Sequence, residues 1–422
     1  MTPDAMAETL AIRQWLERRR AAAGMQVEPG ALARSPSWRL EDGVIRHASG
    51  RFFQVVGLNW CEGGTAHCQP FIEQREIGTL GFLARQTAHG LALLLHAKAE
   101  PGNVGIAQIG PTCQATASNR DRVHGGALPP YAAAFADETG SRLSDSRQSE
   151  QGSRFLGKFN RNVVVLSDGT APVGNDHRWA AFDALRPLLL DDFLINTDAR
   201  SVICTTPWEL LAGRAPFPGE DALSRALSQS FRAPVRMETL ARVEAALRHA
   251  RHATAPATLC PVDRLPGWRF DPGGTTTLTD GKLALRHIDV RAASREVAAW
   301  DQPILDSQGE QTIDLDGRHD NGALHFAFRA AWEPGLGAGA ELAPTRMGED
   351  RPEGKTLLQA RQSDEGGRFL HDVSLYRVRD VTSEAEAPGL LWLSLSEIHD
   401  LLPRGFFNNE ARSAISLLLA LA

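Results

Sequence analysis

The sequence has 422 residues, of which 42% are hydrophobic and 23% charged, and its formal net charge is −6. These values are typical of an ordinary globular protein and exclude a disordered or fibrous chain. The net negative charge argues against a nucleic-acid-binding protein, which usually carries an excess of basic residues. The length predicts two or three domains, each large enough to bury a core.

The cysteines and apolar runs predict the compartment. Five cysteines show no CxxC spacing, which favours reduced structural thiols and argues against a metal site. No apolar stretch approaches the length of a membrane span, and the N-terminal arginines follow the apolar residues, unlike a signal peptide. We therefore expect a cytoplasmic protein that does not bind membranes, nucleic acid or metal.

The predicted elements begin with an amphipathic helix over 7–22, where apolar residues recur at helical spacing. Three segments rich in β-branched or aromatic residues then predict strands, and Glu100-Pro101-Gly102 predicts a tight turn after the second of them. The strands are expected at 50–58, 91–99 and 162–166.

Helical periodicity returns further along the chain. The intervals between apolar residues predict helices over 179–192 and 391–405, the second of which ends at Pro-Arg-Gly. An Ala- and Arg-rich segment at 218–253 predicts one or two more helices.

The chain repeats itself, which decides the expected architecture. Three short landmarks of the first half recur in the second half at one constant spacing, and two longer ones recur at slightly shorter spacings. The pairs are Gln69-Pro70 with Gln302-Pro303, Glu100-Pro101-Gly102 with Glu333-Pro334-Gly335, Pro111-Thr112 with Pro344-Thr345, QSEQGSRFL (148–156) with QSDEGGRFL (362–370), and LINTDARSVI (194–203) with FFNNEARSAI (406–415).

Five landmarks in the same order predict a tandem duplication of one α+β unit. We expect an N-terminal helical extension over 1–39, a first unit over 40–213, a helical linker over 214–264 and a second unit over 265–422. The names first unit and second unit are used below for these two segments.

The motifs resemble a known family. Six runs resemble the NDP-hexose 2,3-dehydratases of deoxysugar biosynthesis. In the first unit they are LHAKAEPGNVGIAQIGPTCQATASN (95–119), QSEQGSRFLGKFNRN (148–162) and LINTDARSVICTTPWELL (194–211), and in the second WDQPIL (300–305), EPGL (333–336) and QSDEGGRFLHD (362–372). The resemblance covers nearly the whole chain outside the first forty residues and the linker.

The resemblance implies a substrate and a fold. Members of the family remove the 2-hydroxyl of a nucleoside-diphosphate 4-keto-6-deoxyhexose, usually dTDP-linked, and a 3-ketoreductase acts on the product. The implied fold is a duplicated Nudix-like α/β/α sandwich in a homodimer. The glutamate-rich metal-binding motif of Nudix hydrolases is missing from the sequence, so metal-dependent hydrolysis is not expected.

This chemistry needs no redox cofactor. Removal of the proton at C3, next to the C4 ketone, gives an enolate that expels the 2-hydroxyl and tautomerises to a diketone. The site must supply a base, an acid, a donor to the enolate and cations for the diphosphate. The candidate catalytic residues are His96, Lys98, Glu100, Glu150 and Tyr376.

Each candidate has a structural alternative. His96 and Lys98 share one face if 91–99 is a strand. Glu100 also fits a turn role, since the same glutamate recurs as Glu333, and Glu150 recurs as Asp364, so function and structure are equally favoured there. Tyr376 is one of only two tyrosines, a residue that often donates protons in sugar enzymes.

Substrate binding is assigned to amides, arginines and an aromatic surface. Trp60 or Phe53 would contact the base, although core packing is the more frequent role of such residues. Arginine forks suit diphosphate. The candidates for substrate binding are Trp60, Gln114, Asn119, Gln148, Arg154, Asn160, Arg161 and Arg368.

The copies differ in ways that bear on function. Asn160-Arg161-Asn162 of the first unit becomes Ser374-Leu375-Tyr376 in the second, which predicts that the first unit is the catalytic half and the second mainly a structural partner. Two other hypotheses remain open, a Nudix-type nucleotide-sugar hydrolase and a non-catalytic nucleotide-sugar-binding protein. The latter is suggested by Ala117, Arg120 and Arg154, which replace the Arg, Tyr and Trp expected there.

Overall fold

The protein is described by a computed structural model that covers residues 2–116, 129–136, 141–167, 169, 173–252, 256–271, 273, 276–278, 282–292, 297–336, 339–348, 354–381 and 389–422. The α-helices of this part of the chain are α1 Pro3–Ala22, α2 Phe182–Leu185, α3 Thr197–Thr205, α4 Trp208–Ala212, α5 Ala222–Arg232, α6 Thr239–His252, α7 Leu395–Leu401 and α8 Asn409–Leu418.

The strands before and within the first unit are β1 Gln26–Pro29, β2 Trp38–Glu41, β3 Val44–His47, β4 Gln54–Glu62, β5 Thr65–Glu73, β6 Gly78–Thr87, β7 Gly90–Ala99, β8 Ala107–Gly110, β9 Cys113–Ala115, β10 Ser141–Ser149, β11 Phe155–Leu156, β12 Phe159–Leu166 and β13 His177–Ala181. Those after it are β14 Thr258–Cys260, β15 Trp268–Phe270, β16 Thr276–Leu278, β17 Leu283–Arg291, β18 Ala299–Ser307, β19 Glu310–Asp320, β20 Ala323–Trp332, β21 Ala340–Pro344, β22 Arg346–Gly348, β23 Lys355–Ser363, β24 Val373–Asp380 and β25 Leu390–Leu393. The predicted α+β class is confirmed.

Each unit contains a seven-stranded sheet with the same strand pairing. In the first unit the order is β10-β12-β6-β7-β13, with β8 on β7 and β9 on β6. In the second it is β23-β24-β19-β20-β21, with β25 on β20 and β22 on β19. One parallel pair lies inside each sheet, β12 with β6 and β24 with β19. A bulge falls between Arg142 and Ser144 in one sheet and between Thr356 and Leu358 in the other, so the sequence repeat corresponds to a repeat of topology.

The predicted helices over 179–192 and 391–405 are wrong at their starts. Residues 179–181 belong to β13 and residues 391–393 to β25, each paired with a central strand of its sheet. Helix begins only afterwards, in α2 and α7. The apolar residues fit helical spacing and an edge strand equally well, and sheet pairing decides between them.

Helices α3 and α8 contact each other between the two units. Both begin at an asparagine whose side chain accepts from the third residue of the helix, Asn196 from Ala199 N at 2.8 Å and Asn408 from Ala411 N at 2.9 Å. Arg412 donates from Nε to Ser201 Oγ at 2.8 Å. One hydrophobic core extends through both units, so neither is an independent globule.

The two Glu-Pro-Gly turns dock reciprocally. Gly102 donates to the Gly366 carbonyl at 2.8 Å, whereas Gly335 donates to the Gly152 carbonyl at 2.7 Å. A Cβ on Gly102 would collide with the carbonyl oxygen of Phe369, and one on Gly335 with that of Phe155. Each turn therefore needs glycine because it packs backbone to backbone on the other unit.

The N-terminal extension contacts both units. Helix α1 packs on the first unit, where Thr9 Oγ1 donates to the Ala184 carbonyl at 2.8 Å and Arg20 Nε to the Ala107 carbonyl at 2.8 Å. Strand β1 then pairs with β17 of the second unit. In the linker, α5 and α6 contact β20. No helix in the described part of the chain is long and apolar enough to cross a membrane.

Candidate active site

A cavity of about 260 Å³ lies where the two units meet. The first unit contributes side chains from β6, β7, β9 and β12 and from the first turn of α3, and the second unit contributes β18 and the loop before β24. The lining includes two groups of interacting side chains, which we call the charged wall (Lys98, Glu100, Lys158, Asn160, Asp198, Glu365) and the aromatic wall (Trp38, His47, Phe52, Phe53, Arg368).

The charged wall contains a buried ion pair. Lys98 Nζ lies 3.4 Å from Glu100 Oε1, and both side chains are buried. Lys98 shares its strand face with His96, and both line the cavity, as the period of two predicts. The second oxygen, Glu100 Oε2, has no hydrogen-bond partner among the described residues. A buried cation is therefore held beside a carboxylate that has unused acceptor capacity.

Asp198 is a buried carboxyl in this wall. It is the second residue of α3 and is 3% exposed. Burial raises the pKa of Asp198 well above its ordinary value, and the negative charges of Glu150, Glu365 and Glu100 raise it further. Its surroundings therefore favour the protonated form of Asp198, the form that can donate a proton.

Glu150 lies behind Asn160 rather than on the cavity surface. Asn160 Nδ2 donates to Glu150 Oε1, and Asn409 Nδ2 donates to Oε2 at 3.3 Å. Burial raises the pKa of Glu150 to about 7, with a further rise from the Glu365 carboxylate. Lys158 donates from Nζ to the Glu76 carbonyl at 2.7 Å, and burial lowers the pKa of Lys158.

The aromatic wall packs four aromatic rings next to a guanidinium. The ring centroids of Trp38 and Phe53 are 4.8 Å apart, and those of His47 and Phe52 are 4.4 Å apart. The Arg368 guanidinium lies 4.0 Å from the Phe53 ring centroid. Aromatic surface suits a nucleobase, and a guanidinium suits phosphate.

Comparison with protein families matches residues 9–205, 241–348 and 346–418 to the NDP-hexose 2,3-dehydratases. The chain belongs to this family. The resemblance inferred from the motifs is thereby confirmed.

Three relatives are each named dTDP-4-dehydro-6-deoxy-α-D-glucopyranose 2,3-dehydratase. The chain is 35% identical to one from Streptomyces violaceoruber over 406 residues, covering 88% of both chains. It is 32% identical to one from Saccharopolyspora spinosa, covering 99% of this chain and 92% of the relative. It is 30% identical to one from Amycolatopsis orientalis, covering 97% and 90%.

Several of the residues singled out from the sequence meet in the cavity of this 2,3-dehydratase family member. Those that line it are His96, Lys98, Glu100, Gln114, Asn160 and Arg368, together with Phe53. Glu150 is linked to the cavity lining by the hydrogen bond that it accepts from Asn160. Asn119 lies outside the described residues, as do Ala117 and Arg120.

The other candidates lie outside the cavity, where their side chains bond to or stack on other residues. Arg161 donates to both Asp145 carboxylate oxygens, at 2.8 and 2.7 Å. Trp60 stacks on His67 with a centroid distance of 5.4 Å. Gln148 donates from Nε2 to the Leu402 carbonyl at 2.9 Å. None of the three lines the cavity.

Tyr376 and Arg154 also lie outside the cavity lining. Tyr376 is 1% exposed within the hydrophobic core, and burial raises the pKa of its hydroxyl well above the ordinary value. Arg154 Nη2 lies 3.5 Å from Ser307 Oγ. The proton-donor role considered for Tyr376 does not fit a side chain that is absent from the cavity lining.

Sequence reasoning missed Asp198, Lys158 and Glu365. Asp198 carried a usable signal, because an acid recurs at Glu410 in the paired motif. Glu365 lies in a second-unit motif that reaches the first-unit cavity, and only the packing of the units reveals this. Among the described residues, no three His, Cys, Asp or Glu side chains are arranged to hold a metal.

Proposed function

We propose that the chain is a carbon–oxygen lyase that removes the 2-hydroxyl of a dTDP-4-keto-6-deoxyhexose and forms the 3,4-diketo-2,6-dideoxyhexose. Family membership supports the reaction class, and the three relatives carry the name of this activity. The observation that carries the proposal is the charged wall, where one cavity brings together a buried carboxyl with a raised pKa, further carboxylates and a buried ammonium.

The charged wall fits elimination through an enolate. The Lys98 ammonium stabilises the oxygen at C4 as negative charge develops there, because fixed charge in a buried site acts strongly on a transition state. The Gln114 and Asn160 amides and the His96 ring, all in the lining, bind the sugar hydroxyls. Glu150 keeps the Asn160 amide oriented through their hydrogen bond.

The aromatic wall receives the nucleotide in this proposal. His47 and Phe52, the half-buried rings of this wall, offer an apolar surface for the base. Arg368, whose Nη2 donates to Gln74 Oε1 at 3.2 Å, presents its guanidinium to the diphosphate. The sugar then extends from Arg368 toward Lys98.

The architecture and assembly are part of the same proposal. Matching sheet pairings, bulges and helix caps support a tandem duplication of a Nudix-like unit with boundaries near 40–213 and 265–422. The enzyme works as a cytoplasmic homodimer without a redox cofactor, and a 3-ketoreductase consumes its reactive diketone product.

One assay tests the activity. The purified protein is incubated with dTDP-4-keto-6-deoxyglucose in EDTA, coupled to a 3-ketoreductase, and products are followed by mass spectrometry. Accumulation of a 2,6-dideoxy sugar under chelation is expected. Turnover that requires added divalent metal and releases nucleoside mono- or diphosphate would favour a hydrolase, and binding without turnover a non-catalytic protein. Either outcome contradicts the proposal.

A further inference from the structure

The second unit places a carboxylate in the first unit's cavity through the loop 364–370. The loop is clamped on the Glu-Pro-Gly turn, since Gly102 donates to the Gly366 carbonyl at 2.8 Å and His371 donates to the Gly102 carbonyl at 2.9 Å. This turn also carries Glu100, the partner of Lys98. The clamp therefore fixes Glu365 relative to the buried ion pair.

Glu365 and Glu100 flank a gap left by a glycine. A Cβ on Gly367 would lie 3.3 Å from Glu365 Oε1 and 3.5 Å from Glu100 Oε1. Both carboxylates thus border the same small space, and any larger residue at 367 would intrude on it.

The four carboxyl groups of this region differ in their contacts and in their burial. Glu100 faces Lys98, Glu150 accepts from two amides, and Asp198 is 3% exposed with a raised pKa. Glu365 is only partly buried and lines the cavity, and the positive charge of Lys158 interacts with it. It is the least buried of the four, which suits a base that must reach a carbon-bound proton.

We infer that Glu365, contributed by the second unit, is the base that removes the C3 proton, with the Asp198 carboxyl as the acid that protonates the departing hydroxyl. This assignment rests on the proposed dehydratase function and deepens it. The active site is then composite, with its base and its acid on different units of the duplicated chain.

The steps balance without a co-reactant. Glu365 takes the C3 proton, and the electron pair of the C3–H bond forms the C3–C4 enolate. The enolate then restores the C4 carbonyl, a C2–C3 double bond forms, and the C2–O bond breaks as its oxygen leaves as water with the Asp198 proton. The resulting enol accepts the Glu365 proton at C2 and returns its 3-hydroxyl proton to Asp198.

The repeat offers an internal comparison. In the paired motifs QSEQGSRFL and QSDEGGRFL, Glu365 corresponds to Gln151, an amide that cannot act as a base, and Gln151 hydrogen-bonds Asp364. Alignment of the two Glu-Pro-Gly turns pairs Lys98 with Ala331. The equivalent region of the second unit therefore lacks both the proposed base and the ammonium.

Proton exchange separates the two roles. Variants are incubated with dTDP-4-keto-6-deoxyglucose in D₂O, and both elimination and deuterium uptake at C3 of recovered substrate are measured by NMR. Glu365→Gln should lose elimination and exchange by about 100-fold or more, the range for removal of a general base. Asp198→Asn should lose elimination to a similar extent but keep C3 exchange, because it still forms the enolate. Glu365→Asp should recover part of both.

Controls keep the outcomes distinct. Glu341→Gln replaces a buried carboxyl outside the cavity lining and should leave both rates unchanged. The circular dichroism spectrum and dTDP affinity of each variant report folding. If folded Glu365→Gln keeps exchange, or Asp198→Asn loses it, the assignment is overturned. If Glu365→Gln does not fold, the exchange rate of Glu365→Asp decides, and an unchanged rate overturns it. Failure of the wild type to eliminate refutes the proposed function instead.

Discussion

Substituting alanine for Gly102 should loosen the second-unit loop from the cavity. The added Cβ collides with the carbonyl oxygen of Phe369, so the turn and loop 364–370 must separate. Two inter-unit hydrogen bonds are then lost, from Gly102 N and from His371 N. At about 1 kcal/mol for each bond, with about 1–3 kcal/mol of steric strain added, the free energy of unfolding should fall by about 3–5 kcal/mol.

The repeat supplies a matched control for this effect. Gly335→Ala produces the same collision on the other side, with the carbonyl oxygen of Phe155, and breaks equivalent bonds. It should destabilise the protein by a similar amount, but the loop that it displaces carries Gln151 and Arg154, which do not line the cavity, and is joined to the lining through the hydrogen bond between Glu150 and Asn160.

Urea unfolding followed by circular dichroism measures stability, and the coupled assay measures kcat. Both variants should unfold at lower urea, while Gly102→Ala should lose at least about tenfold more kcat than Gly335→Ala, equivalent to about 1.4 kcal/mol. Wild-type stability in Gly102→Ala would refute the close docking of the turn. Equal kcat losses would refute the idea that this loop positions catalytic groups.

Three further predictions concern charge. Burial raises the pKa of Glu341 to about 7 and that of Asp364 to about 8, so both are protonated in the folded protein below those values. Protonation of these two carboxyls stabilises the folded protein fully below about pH 4, and this stabilisation is lost progressively as pH rises to 7 to 8. The thermal midpoint should therefore fall between about pH 4 and about pH 8, and it should fall less in Glu341→Gln. An equal fall in Glu341→Gln would contradict this. Arg368→Ala should weaken dTDP binding about 10- to 100-fold in calorimetry, the loss expected for charged hydrogen bonds, while Arg161→Ala, whose guanidinium is paired outside the cavity, should not; similar losses would contradict the assigned diphosphate site. Lys98→Met should lower kcat about 100-fold or more with little change in KM, and an unchanged kcat would remove Lys98 from enolate stabilisation.

Local patterns in the sequence predicted the part of the charged wall that lies on one strand and the turn after it. A strand of period two placed His96 and Lys98 on one face, and the turn that follows brought Glu100 beside Lys98. These residues are close in the chain, so backbone geometry alone largely sets their relation. The α+β class and the family were predicted from the repeat and the long motifs, which can be recognised in the sequence without knowing which residues are in contact.

Residues whose role depends on distant partners were predicted less well. Arg161 has the chemistry of a phosphate ligand, but Asp145 on the neighbouring strand occupies its guanidinium. Tyr376 is rare and therefore conspicuous in the sequence, yet it is buried in the core of the second unit. Side-chain chemistry indicates what a residue could bind, whereas tertiary packing decides which partner lies next to it.

The duplication shows this division most clearly. The sequence alone determined that two similar units exist and that their polar residues have diverged, because both facts are comparisons along the chain. Only the tertiary structure decided that each Glu-Pro-Gly turn docks on the other unit and that Glu365 and Arg368 enter the first unit's cavity. No local pattern encodes these contacts, since they depend on a shared core and on two backbones that approach closely enough to exclude any Cβ.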